Sequence, residues 1–160
     1  MPHKKYILAI DHGTSGIKAA IVSVSGEVVD YAYEKTSIHF LPDGGAEQDP
    51  EEWWTALVKA SHHLIKNNII NPEDFVAVSV SSTFSTTVAI DESGRHLMNA
   101  LTWMDSRGAP HVQKIMGGFP SIEGYGLFKI LRFLPKTGGG PTLSGKDDIA
   151  HVLLIKNQYP

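Results

Sequence analysis

The chain has 160 residues, 42% of them hydrophobic and 19% charged, which suits a globular domain with a real core; a domain of this size buries roughly 70% of its unfolded surface. The net charge of −3 leaves no electrostatic footprint for nucleic acid. The absence of cysteine excludes disulfides, thiolate-bound zinc and thiol chemistry, and it fits a reducing compartment. No apolar run approaches the ~20 residues needed to cross a membrane. Asp11 and His12 cut the first apolar stretch off too early for a signal-peptide core. A cytoplasmic chain with no membrane or nucleic-acid partner is expected.

The apolar pattern predicts strands over residues 5–11, 17–24 and 27–38, joined by short turns into an antiparallel meander. Residues 39–50 read as a loop. Asp49 caps a helix with Pro50 at its first position and Glu51 and Glu52 in its first turn. Trp53, Trp54, Leu57, Val58, Leu64 and Ile65 supply its apolar side, and it ends near Asn67-Asn68. After a turn at residues 71–74, valines alternate with small residues over 75–80 and predict a strand. A hydroxyl-rich stretch surrounds Phe84. Residues 87–91 and 96–103 flank a turn and predict a hairpin. Asp105 or Ser106 is placed to cap a helix over 107–116 that Gly117-Gly118 ends. Residues 135–141 read as an irregular loop, and a short amphipathic helix follows over 149–156.

The chemistry concentrates first at the end of the first strand. Asp11 is followed by Gly13-Thr14-Ser15-Gly16 and then Lys18. Glycines let the backbone turn sharply and approach a ligand. Successive N–H groups in such a turn suit an anion, hydroxyls and a lysine add donors, and an aspartate can hold Mg²⁺ directly or through water. The same residues also make an ordinary hairpin turn with a solvated aspartate, and on this stretch alone the two readings stand level. Three further segments have packing explanations when taken singly: Glu47-Gln48-Asp49-Pro50 leading to Trp53-Trp54, Thr83-Phe84-Ser85 at a strand end, and Trp103-Met104-Asp105-Ser106-Arg107. The chain's eight histidines predict no metal site, because the adjacent His62 and His63 point to different helix faces.

Together and in this order, these segments resemble the N-terminal part of the FGGY carbohydrate kinases, over essentially the whole chain. The strand–helix order likewise resembles the first half of a ribonuclease H-like unit. The resemblance implies an α/β fold of the actin/hexokinase ATPase type, an incomplete N-terminal lobe over residues 1–160. That lobe has a mixed sheet with an antiparallel meander and flanking helices. It implies ATP and Mg²⁺ as cofactors, with Asp11 beside the metal and the phosphates. Gly13, Thr14, Ser15 and Lys18 would surround the phosphoryl group. Phe84 and Ser85 stand where glycerol kinases have Arg-Glu and xylulokinases Met-His, and they match neither pair. This argues against glycerol. With Trp103 and Asp105 they would line the pocket for a pentulose such as xylulose, or a related polyol.

The implied reaction moves the ATP γ-phosphoryl group to a sugar hydroxyl, mostly by positioning and charge neutralisation. It needs a base, which the resemblance places beyond residue 160, so no catalytic residue is assigned within the chain. The nucleotide-binding second domain is expected to lie outside it too. The chain by itself is therefore expected to be inactive and to self-associate through uncovered apolar surface. Two other readings remain: a non-catalytic sugar- or phosphate-binding module, or a decayed kinase. A lobe of another actin-like ATPase is disfavoured, because such proteins have no need of the tryptophan-containing segments.

Overall fold

The computed structural model describes residues 4–67 and 70–158. In chain order the strands and helices are β1 (Tyr6–Gly13), β2 (Gly16–Ser23), β3 (Val28–Lys35), β4 (His39–Phe40), β5 (Ala46–Gln48), α1 (Pro50–Asn67), β6 (Phe75–Ser82), β7 (Ala100–Leu101), α2 (Ala109–Met116), β8 (Ser121–Ile122), β9 (Tyr125–Gly126), α3 (Leu127–Thr137) and α4 (Asp148–Gln158). They divide into two compact units, the first from Met1–Ile38 and Gln48–Phe84, the second from His39–Glu47 and Ser85–Pro160.

The first unit is a four-stranded sheet in the order β3-β2-β1-β6 with α1 on one face. β1, β2 and β3 form the expected antiparallel meander, and β6 returns parallel to β1, so the sheet is mixed. Alternation along the strands sends Leu8, Ile10, Ile17, Ala19 and Ile21 toward the helix. Asp49 caps α1 as predicted, its Oδ1 accepting the Glu51 N–H at 2.9 Å. The buried stripe of α1 is narrower than the expected apolar side. Ala56, Ala60, Ser61 and Leu64 face the sheet, while Trp54 and Ile65 lie 63% and 42% exposed. Small side chains four residues apart let the helix settle close to the strands, and bulky ones on that line would hold it off. Asn68, where the predicted helix end falls, lies outside the described residues.

The second unit departs further from expectation. The predicted loop over 39–50 contains β4 and β5, which pair antiparallel with His39 opposite Glu47. Strands this short show no alternation to read. The predicted hairpin after residue 87 is reduced to β7 and two isolated pairs, Thr87 with Leu101 and Ile90 with His96. Neither Asp105 nor Ser106 caps α2 through its side chain. Gly108 occupies that position, and the Ser106 carbonyl accepts the Ala109 N–H. Helix α3 was not foreseen, because Pro135 sits in its last turn and Pro ordinarily breaks a helix. The helix nonetheless runs to Thr137, and Gly138 closes it in a left-handed conformation at φ 72°. Helix α4 starts behind Asp147, whose Oδ1 accepts the Ala150 N–H at 3.0 Å. Its Ala150 packs with Val112 and Met116 of α2, and Gly108 permits that approach, since a Cβ there would strike the Ala150 backbone.

These burials give a contrast within one helix. Leu64→Ala empties a fully buried site and should cost about 3 kcal/mol. Trp54→Ala removes a larger but exposed side chain and should cost less than about 1 kcal/mol. Urea unfolding followed by circular dichroism measures both, and a larger loss at Trp54 would show that α1 presents a different face to the sheet.

Candidate functional site

In the first unit, β1 and β2 remain paired to Gly13 opposite Gly16, so Thr14 and Ser15 alone make the turn. This turn is tied down by its carbonyls. The Gln48 amide donates to the Thr14 carbonyl at 3.0 Å, the Tyr33 hydroxyl to the Ser15 carbonyl at 2.7 Å, and the Thr36 N–H to the same oxygen at 3.3 Å. Gln48 is buried, and its amide also donates to the Ser37 carbonyl at 3.0 Å. At Gly16, φ is 155° and a Cβ would run into the Glu34 carbonyl and the Tyr33 ring, so only glycine lets β3 lie this close. Of the Glu-Gln-Asp-Pro segment, then, Gln48 orients the hairpin and Asp49 starts the helix. Sequence reasoning gave Gln48 no such role.

Cross-strand register sets Asp11 between Lys18 on β2 and Ser81 on β6. Lys18 Nζ donates to Asp11 Oδ2 at 3.0 Å and Ser81 Oγ to Oδ1 at 3.2 Å. The Lys18 hydrogen bond, against a smaller opposing effect of burial, holds the Asp11 carboxyl below its ordinary range, with help from the Lys18 charge and Ser81. Both side chains of the ion pair are half-exposed, so it contributes little to stability and is open to exchange for a ligand. On the sheet face away from α1, Ala9, Ala20 and Ser79 floor a groove of about 420 Å³ that reaches Asp11, Lys18 and Ser81. Among the described residues, no three His, Asp or Glu side chains converge on a metal position. Mg²⁺ keeps several waters and needs only one or two carboxylates beside phosphate oxygens, a demand that Asp11 fits.

In the second unit, Asp105 is fully buried and its carboxylate is engaged by protein donors. Arg107 Nη2 donates to Asp105 Oδ2 at 2.7 Å and to Glu47 Oε1 at 2.6 Å, and the Ala46 N–H donates to Asp105 Oδ2 at 3.1 Å. Burial pushes the Asp105 carboxyl up, but the Arg107 bonds and charge and the Ala46 N–H together outweigh it and leave it lowered. Arg107 is correspondingly raised. Neighbouring Trp103 is 45% exposed.

Ser85 is buried with its backbone at φ 58°, a region non-glycine residues rarely occupy. Its hydroxyl donates to Asp148 Oδ1 at 3.3 Å, an oxygen that Thr87 Oγ1 also reaches at 3.3 Å. Thr87 Oγ1 lies 3.0 Å from Nδ1 of the fully buried His151. Burial lowers the His151 imidazole, against the opposing Asp105, Asp148 and Asp147. Asp148 and His151 come from α4 and were not foreseen, since nothing in local spacing links them to Ser85. Phe84 precedes Ser85 in the chain but ends the first unit, 85% exposed. The structure thus gathers Asp11, Lys18 and the Gly13–Gly16 turn in one unit, and Ser85, Trp103 and Asp105 belong to the other.

The Arg107 network makes a stability prediction. Asp105→Asn replaces the buried carboxylate that accepts from Arg107 and from the Ala46 N–H with a neutral amide and should cost about 2 kcal/mol at neutral pH. Because the native carboxyl is lowered, its contribution is complete above the unfolded value near 3.8 and is lost as pH falls through the native value. Denaturant titrations in acid should therefore bring wild type and variant together, and a constant difference down to the lowest pH would contradict this.

Residues 6–123 match the N-terminal domain of the FGGY family of carbohydrate kinases. The chain is 35% identical over 108 residues to a glycerol kinase of Leptospira biflexa, covering 67% of this chain and 22% of that protein. It is 30% identical over 135 residues to a xylulose kinase of Staphylococcus epidermidis, covering 80% and 27%. The crystal structure of Plasmodium falciparum glycerol kinase with ADP superposes with a TM-score of 0.76 at 19% identity, over 98% of this chain and 29% of that one. The chain thus spans about a fifth to a quarter of the length of the curated relatives it matches, with the mixed α/β fold of the actin/hexokinase-like sugar kinases. With the family's N-terminal domain matched over residues 6–123 of 160, this chain belongs to the FGGY family of carbohydrate kinases.

Proposed function

We propose that the chain is the phosphate- and sugar-facing portion of an ATP-dependent sugar kinase whose acceptor is a pentulose such as xylulose, or a related polyol, in the cytoplasm. The observation that carries this reading is the Thr14–Ser15 turn held by Gln48 and Tyr33, with Asp11 and Lys18 beside it. A turn oriented by its carbonyls and flanked by one carboxylate and one ammonium suits a metal-bound phosphate. Asp11 would hold Mg²⁺ when it is bound, and the metal would neutralise charge on the phosphates. Gly13, Thr14, Ser15 and Lys18 would position the phosphoryl group, and preformed positioning of this kind is most of what phosphoryl transfer requires. Identity to glycerol and xylulose kinases is similar and does not choose the sugar. Phe84 supports a sugar as acceptor: its exposed aromatic side chain suits the C–H face of a sugar and lacks the charged grip suited to a small triol.

Asp105, with its carboxylate taken up by Arg107 and Ala46, is assigned to hold the Trp103 segment and not to accept a proton. The reading therefore places the general base and the adenine site outside residues 1–160. A second reading, a non-catalytic phosphate- or sugar-binding module, is favoured by the hairpin being complete within the first unit alone. A coupled ADP-release assay on the purified chain with xylulose and other pentuloses should show no sugar-dependent turnover, and turnover above a no-sugar control would overturn the assignment of the base. We also infer that the chain self-associates, because Val76, Val78 and Val80 of β6 are each more than half exposed.

A further inference from the structure

We propose that His151 is a positioning residue that acts through Thr87 and Asp148 to fix the Ser85 hydroxyl and the backbone that carries it. This deepens the reading of Ser85 as a sugar-facing residue and rests on it.

Ser85 needs such support. Its backbone sits at φ 58°, in the left-handed region that non-glycine residues rarely occupy. A conformation of this kind persists only where surrounding contacts over-determine it. The residue is buried, and its hydroxyl lies 3.3 Å from Asp148 Oδ1 and 3.4 Å from the Lys146 carbonyl. An ionised carboxylate and a carbonyl can only accept, so the one hydroxyl proton of Ser85 is committed to the segment that opens α4. Toward a ligand the Ser85 oxygen is left as an acceptor, which suits the hydroxyl of a neutral polyol.

Asp148 Oδ1 has a second donor. Thr87 Oγ1 reaches it at 3.3 Å, and His151 Nδ1 lies 3.0 Å from that same Thr87 oxygen. Thr87 also has a single hydroxyl proton, and Asp148 takes it, so the His151 ring must donate from Nδ1. His151 is fully buried, and burial lowers its imidazole against the opposing Asp105, Asp148 and Asp147, so at neutral pH the ring has one proton to place. The Asp105 backbone also comes close enough to favour a charged ring, but Nε2 has no hydrogen-bond partner among the described residues. A proton on Nε2 would be an unpaired buried donor, whereas on Nδ1 it is satisfied. The bonds thus run in one direction, from His151 to Thr87 to Asp148, where they meet the bond from Ser85. Asp148 and His151 stand three residues apart on α4, on neighbouring positions of one helix face, so the helix places both together. All of these residues belong to the second unit.

NMR of the isotope-labelled chain tests this. Imidazole nitrogen shifts at neutral pH should report the Nδ1–H tautomer for His151. An Nε2–H tautomer, donating toward the Asp105 backbone, would reverse the run of bonds and overturn the proposal. Thr87→Val keeps the side-chain shape and removes the hydroxyl, His151→Leu removes the ring donor, and His151→Asn keeps an N–H near the place of Nδ1. Thr87→Val and His151→Leu should move the Ser85 amide and carbon shifts away from their left-handed values, and His151→Asn should hold them near wild type, with α2 resonances in the same unit reporting that each variant is folded. Ser85 shifts that stay at wild-type values in a folded Thr87→Val chain, or that His151→Asn fails to hold, overturn the proposal. Xylulose titrated into the wild-type chain should perturb the Ser85 amide, and Thr87→Val should raise its dissociation constant about tenfold. An affinity equal in the two chains overturns the proposal. No response to xylulose in a wild-type chain with the Nδ1–H tautomer and left-handed Ser85 intact overturns the sugar-facing reading of Ser85 and leaves its positioning by His151 standing.

Discussion

The Gln48 side-chain amide is the interaction on which the geometry of the Thr14–Ser15 turn depends. It is buried where the chain enters α1, and it spends its hydrogens on the Thr14 and Ser37 carbonyls. A hairpin turn of two residues is otherwise free to rock on its strands. A buried amide with two fixed acceptors removes that freedom, because leaving either the donor or the acceptor unmatched in the interior costs more than the bond itself contributes. The turn's direction is thereby coupled to the start of α1, whose cap Asp49 is the next residue. Gly16 is the complementary constraint. It lets β3 and the Tyr33 hydroxyl reach the turn from the other side. Asp11 and Lys18 then stand at the rim as a half-exposed ion pair on that frame.

The second unit is organised differently, around a buried charge. Arg107 binds two carboxylates, Glu47 and Asp105, with almost no exposure to water. Such a cluster gives less net stability than its short distances suggest, because desolvation opposes the attraction. What it fixes is placement: Asp105 also takes the Ala46 N–H, and Thr102 bonds the Ala46 carbonyl, so β5 and the Trp103 segment share one framework. The Trp-x-Asp-x-Arg pattern thus joins a half-exposed tryptophan to two residues that hold it. The Ser85 hydroxyl, the sugar-facing candidate, is likewise engaged, through Asp148 of α4.

How much of this was legible in the sequence follows from the range of each interaction. The meander, the capped α1 and β6 came from local patterns, and they are as expected apart from the narrow alanine stripe of α1. The resemblance in motif order pointed to the Asp11 turn as a phosphate site, which local composition left open. Gln48, Asp148 and His151 were not legible, because each acts on residues 11 to 64 positions away and nothing beside it in sequence marks the partner. Asp105 was legible as important but not in its surroundings, since an aspartate near a helix start reads equally as a cap. Helix α3 was hidden by Pro135, whose breaking power is real in mid-helix and slight in the last turn of this one.

The central claim is that the Thr14–Ser15 turn, with Asp11, meets a metal-bound phosphate. An amide-resolved NMR titration of the chain with pyrophosphate in the presence of Mg²⁺ tests it most directly. The account predicts saturable shifts centred on Thr14, Ser15 and Gly16 that Asp11→Ala abolishes while the remaining spectrum stays folded. Shifts that avoid this turn, or that persist unchanged in Asp11→Ala, would contradict it.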